Sequence, residues 1–180
     1  MNALAAFAAW PLAARLTTVA VSGLIAGALV NWAVYSLAYL ASYWSPWSRQ
    51  HPSVGGTDRW DLAPIWGWWR LRRRSTEPGF GPRFWVRPLI VECLCAVGFV
   101  AWYWWEAVLG GLLHPQIAPG LVAVNGELST ELHASCAAHL ALFMFMLAAS
   151  LIDADEWNIP DEITVPGTLP RLALRSTLAG

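Results

Sequence analysis

The chain has 180 residues, of which 57% are hydrophobic and only 13% charged, with thirteen tryptophans and a formal net charge of −1. Soluble domains carry about 25% charged residues, and a disordered chain needs low hydrophobicity and high charge, so neither class fits. Nucleic-acid binding needs a surplus of positive charge, and no nucleic-acid partner is expected.

No formal charge occurs between Arg15 and Arg49. Residues 17–43 therefore exceed the roughly 20 residues that cross about 30 Å of hydrocarbon, and they predict a first transmembrane helix. Within it Gly23, Gly27, Asn31 and Tyr35 recur every four residues. The small residues predict a helix-packing face, with Asn31 as a polar contact inside the bundle. The first residues lack a basic n-region and the span is too long for an h-region, so it reads as a retained helix rather than a signal peptide.

Residues 44–87 follow as a loop domain or linker holding eight of the eleven arginines: Arg49, Arg59, Arg70, Arg72, Arg73, Arg74, Arg83 and Arg87. Only Asp58, Asp61 and Glu77 oppose them. The run Arg70, Arg72, Arg73, Arg74 predicts contact with anionic lipid headgroups. The loop holds no cysteine, so a tetrathiolate zinc site is not expected there, and no other metal or cofactor is indicated.

Residues 88–113 predict a second span, with Glu92 and Glu106 near its two ends, able to reach the interfaces. Residues 134–152 predict a third, containing His139, an intramembrane ionisable residue and so a candidate by default; hydrogen bonding between helices is its expected role. His51, His114 and His133 fall in predicted loops or at their edges. Cys93, Cys95 and Cys136 lie in apolar runs and predict buried thiols rather than a disulfide framework. The expected fold is thus all-α: a polytopic membrane protein of about three transmembrane helices joined by an Arg-rich loop. Positive residues stay cytoplasmic, which predicts the N-terminus outside, residues 44–87 inside, 114–133 outside and 153 onwards inside.

Five carboxylates fall in ten residues after the third span: Asp153, Asp155, Glu156, Asp161 and Glu162. They oppose the helix macrodipole at a C-terminus. An apolar flank at Ile152 suits Asp153 to acid–base work. A solvated acidic helix end and a docking surface for a basic partner are the alternatives. A calcium loop is not supported: Asp153-x-Asp155-x-x-Asn158 has no Gly at the sixth position and Thr164 at the twelfth.

The pattern Asp153-x-Asp155-x-x-x-Ile159-Pro160-Asp161-x-x-Thr164-x-Pro166 resembles the first aspartate motif of the type IV prepilin peptidases, bacterial membrane aspartic proteases that remove the leader from prepilins and pseudopilins. The stripe Gly23, Gly27, Asn31, Tyr35 is similar to one in that family's first helix. The segments 64–72 and 87–92 resemble its loop and its entry into the second helix. The resemblance covers most of residues 20–168. It implies that Asp153 is catalytic, that Asp155, Pro160 and Asp161 support the motif, that the partner is the N-terminal segment of a prepilin or pseudopilin, and that the chain lies in the bacterial inner membrane. The family's second aspartate comes from a Gly-x-Gly-Asp motif, and this sequence contains none; Gly55-Gly56-Thr57-Asp58 has the wrong spacing. Residues 1–168 are therefore expected to be the N-terminal membrane part of such a protein. Residues 169–180 do not match the family, and a truncation or frameshift is expected there. Alone, the chain is expected to be inactive. The non-enzymatic alternative is a three-span scaffold or assembly partner.

Overall fold

A computed structural model describes residues 3–37, 59–74, 84–113 and 126–156. Among these every regular element is helical, and three helices are long and apolar enough to cross a membrane: Leu12–Leu37, Val86–Val108 and Leu128–Ala154.

The short helix α1 (Ala3–Ala8) stops before Trp10-Pro11, because proline disfavours helical geometry in the residue ahead of it. Helix α2 (Leu12–Leu37) then runs 26 residues, about 39 Å at 1.5 Å per residue. Its buried residues are Val19, Gly23, Ala26, Gly27, Val30, Asn31 and Val34, a single stripe at helical spacing. Val21, Ile25, Leu29 and Trp32 project from the opposite side, each about half exposed. In water such a stripe would be an aggregation surface; against lipid it needs no cover. The hydroxyls of Thr17 and Thr18 donate to the carbonyls of Ala13 and Ala14 at 2.9 Å, so they sit in an apolar medium already satisfied.

After a 3₁₀ turn (Arg59–Leu62) and helix α3 (Trp66–Arg74), helix α4 (Val86–Tyr103) begins the second span. Pro88 is tolerated in its first turn, where an N–H would lack an intrahelical acceptor anyway. The buried residues Pro88, Val91, Glu92, Cys95, Phe99 and Tyr103 form one face against α2. The helix then widens into a π-helical turn (Trp104–Val108), with Leu109 N donating to Trp104 O at 2.9 Å. Gly110, at φ 68°, ends the element. Helix α5 (Gly126–Glu156) closes the bundle, packing on α2, α1 and α4.

Two apolar clusters hold the three spans together. Val30, Val34, Val91, Cys95, Ala148 and Ile152 form one; Val19, Ala26, Phe99, Tyr103 and Cys136 form the other.

Several boundaries differ from those expected of the sequence. The first span starts at Leu12 rather than 17, because Arg15 is accommodated inside the helix by donating from Nη1 to the Tyr103 hydroxyl at 3.2 Å. The second ends at Val108 rather than 113, where the π-turn and Gly110 stop it. The third begins well before 134. Acidic residues near a helix N-terminus are favourable with the dipole, so Glu127 and Glu131, in the stretch expected to be a loop, do not break it. His133 is consequently a buried helix residue. Cys95 and Cys136 are buried, whereas Cys93 is exposed on the outward side of α4, since it sits next to the buried Glu92 rather than on its stripe.

Candidate functional site at the Glu92 end of the bundle

The close approach of α2 and α4 depends on glycine. A Cβ at Gly23 would lie 2.7 Å from Cys95 O, and one at Gly27 would lie 2.6 Å from Glu92 Cα. Both contacts are with backbone, which cannot swing aside. One turn further on, Asn31 Nδ2 donates to Pro88 O at 3.0 Å and to Glu92 Oε1 at 3.3 Å. Gly23, Gly27 and Asn31 thus all face α4, and the glycines bring its backbone near enough for Asn31 to reach it.

Glu92 is 1% exposed and is the hub of this end. Besides Asn31, the Trp68 indole Nε1 donates to Oε1 at 2.8 Å, and the Ile65 backbone N–H donates to Oε2. Ile65 has φ 61°, the left-handed region that a β-branched residue rarely adopts. The carboxylate therefore holds a strained turn in place and, through Trp68, fastens α3 to the membrane bundle. Trp68 and Leu71 form the inner face of α3, and the Tyr35 ring lies 6.2 Å from that of Trp68. Gly67 is required at the turn, because a Cβ there would fall 2.1 Å from Asp61 O. Asp61 is itself buried and pairs with Arg70 Nε at 3.7 Å.

Glu92 does not extend to the interface, as its place near a span end suggested; three N–H donors turn it inward. Glu106, 0% exposed in the π-turn beyond the other end of α4, is also turned inward. Trp102 Nε1 donates to its Oε2 at 2.7 Å, and His139 Nδ1 lies 2.8 Å from its Oε1. His139 is therefore hydrogen-bonded between α5 and the π-turn. Nearby, Tyr103 joins Arg15 and His133, whose Nε2 is 3.1 Å from the phenol oxygen. His133 Nδ1 donates to Ser129 O at 2.7 Å, since a carbonyl only accepts.

Asp153 lies at the end of α5, exposed, directly after Ile152, which is fully buried in the cluster with Val30, Val91 and Cys95. Arg87 Nη2 donates to Leu151 O at 3.4 Å, which joins this end of α5 to the start of α4. Asp153 and Glu92 thus belong to the same end of the bundle. Asp155 continues the last turn of α5; Pro160 and Asp161 lie outside the described residues. Among the described residues, no group of three or more His, Cys, Asp or Glu side chains is arranged to hold a metal ion.

The roles of Ile65 and Trp68 were not foreseen from the sequence. Their partner is 27 and 24 residues away, and one of the two donors is a backbone group with no residue-type signal. The only sequence cue was Glu92 itself, a carboxylate inside an apolar run. Compared with protein-family models, curated proteins and solved structures, the chain has no match in any of the three.

Proposed function

We propose that this chain is the N-terminal membrane part of a prepilin peptidase-like aspartic endopeptidase, cutting the leader of a prepilin or pseudopilin at the cytoplasmic face of the bacterial inner membrane. The observation that carries the reading is the pattern from Asp153 to Pro166, placed directly after the third span. Aspartic proteolysis uses two carboxylates of unequal protonation, one activating water and the other polarising the scissile carbonyl. Asp153 suits one of these roles because its side chain is accessible while its neighbour Ile152 anchors the helix in the core.

The second carboxylate is not supplied by the described part of this end. Glu92 and Asp61 are the buried carboxylates there, and both are engaged, by N–H donors and by Arg70 respectively. Asp155 is two residues further along a helix, about 200° around its axis. The partner carboxylate must come from another segment. The purified chain incubated with a prepilin in detergent will yield no shortened product, whereas co-expression with a membrane segment bearing Gly-x-Gly-Asp will yield one. Cleavage by the chain alone overturns the assignment of the second carboxylate to another segment, and no cleavage with any such segment overturns the peptidase reading.

The second reading, a non-enzymatic three-span scaffold, is favoured by the use of both Glu92 and Asp61 as structural fasteners. Failure of every such segment to restore cleavage supports it.

A further inference from the structure

The outer side of α5 is unlike that of α2. The large side chains that α2 turns away from the bundle, Val21, Ile25, Leu29 and Trp32, are all apolar, as suits a stripe facing lipid. On α5 the residues His139, Phe143, Met146, Ser150 and Asp153 follow one another at steps of four, three, four and three. That spacing keeps one seam of a helix against another helix. Phe143, Met146, Ser150 and Asp153 are exposed, and His139 is partly so. Ala148 and Ile152, by which α5 enters the core, each stand two residues from Ser150 and so about 160° from it around the axis. Three of the five seam residues are polar or ionisable, and such side chains in a span seldom face hydrocarbon.

His139 and Asp153 indicate what covers the seam. One ring nitrogen of His139, Nδ1, is held by Glu106 at 2.8 Å, while Nε2 has no hydrogen-bond partner among the described residues. Phe143 rests against α4, its ring 6.3 Å from that of Phe99, and the exposed side chains of Met146 and Ser150 continue the line towards Asp153. A helix laid along this line reaches both the open nitrogen of His139 and the carboxylate of Asp153. We infer that the seam from His139 to Asp153 is the docking face of the transmembrane helix that carries the second carboxylate, with a hydrogen-bonding side chain level with His139 and its own carboxylate level with Asp153. A resident helix shields these polar groups from lipid at all times, which a substrate segment that arrives and leaves does not. The identity of the docked helix rests on the peptidase reading; the seam itself does not.

The test expresses the full chain in membranes with a separately encoded, tagged transmembrane segment bearing Gly-x-Gly-Asp, and with p-benzoylphenylalanine in place of Phe143, Met146, Val21 or Ile25. Irradiation yields a tagged adduct from the first two positions and only background from the last two. Ser150→Trp fills the seam and lowers the amount of segment that co-purifies with the chain about tenfold, whereas Val21→Trp leaves it unchanged. His139→Leu lowers it about threefold, and His139→Gln, which keeps a hydrogen-bonding group, retains most of it. No adduct from positions 143 and 146 overturns the inference, as does an equal adduct from positions 21 and 25. An adduct between two copies of the chain, or with a prepilin in place of the segment, also overturns it. Cleavage restored by the segment without an adduct at the seam refutes the docking face and leaves the peptidase reading standing. An adduct at the seam without cleavage of prepilin supports the docking face and counts against the peptidase reading.

Discussion

Glu92 is one carboxylate with three donors drawn from three places: a backbone amide, an indole and a side-chain amide. Removing it would strand two of them, Ile65 N–H and Trp68 Nε1, since Asn31 keeps Pro88 O. Each buried unsatisfied group costs about 1–3 kcal/mol. Glu92→Ala is therefore predicted to speed amide hydrogen exchange across residues 65–73 while leaving the centres of α2 and α4 protected. Glu92→Gln, which retains an oxygen acceptor, will fall between that variant and the wild type. Unchanged exchange in Glu92→Ala would show that α3 is held by Leu71 and Trp68 packing alone. Glu106 is a parallel case at the other end, where Trp102 and His139 satisfy it.

At the scale of the element, the interface between α2 and α4 is set by what is missing at Gly23 and Gly27. Lipid gives no hydrophobic drive for helices to associate, so close packing and buried polar contacts must hold them. A methyl at either glycine meets α4 backbone at 2.6–2.7 Å, and overpacking of this kind costs about 1–3 kcal/mol. Gly27→Ala is predicted to lower the thermal midpoint in detergent, and Gly23→Ala to do the same. Val21→Ala, on the half-exposed outer face, serves as the control and will shift it little. An unchanged midpoint in Gly27→Ala would mean that the helices separate without loss. Gly27→Ala also displaces the segment that Asn31 uses to reach Pro88 and Glu92, so its effect will exceed that of a methyl clash taken alone.

In the molecule as a whole, the three apolar runs were legible because charge is sparse in them, and the helix-packing stripe was visible as a four-residue spacing. Helix ends were less legible. Arg15 looked like a boundary, yet Tyr103 from a distant span accepts its hydrogen bond and lets the helix pass through. The acidic residues before residue 134 looked like a loop, yet they suit the start of α5. The segment 59–74 read as linker because its fold depends on Glu92, from outside it, and on contacts within it that follow no period. Glu92 fastens Ile65 and Trp68, Gly67 admits Asp61, and none of these pairings has a local period. Asp153 was legible only through its motif, whose later residues, Pro160 and Asp161, lie beyond the described end of α5. Its placement at the same end of the bundle as Glu92 depends on the packing of Ile152 against α2 and α4. The most direct test is therefore the rate of prepilin processing by Asp153→Asn, in the chain complemented with a segment carrying Gly-x-Gly-Asp. Loss of a catalytic carboxylate predicts a fall of about 10²–10⁴-fold, with amide exchange in α5 unchanged. Processing by Asp153→Asn at the wild-type rate would contradict the account.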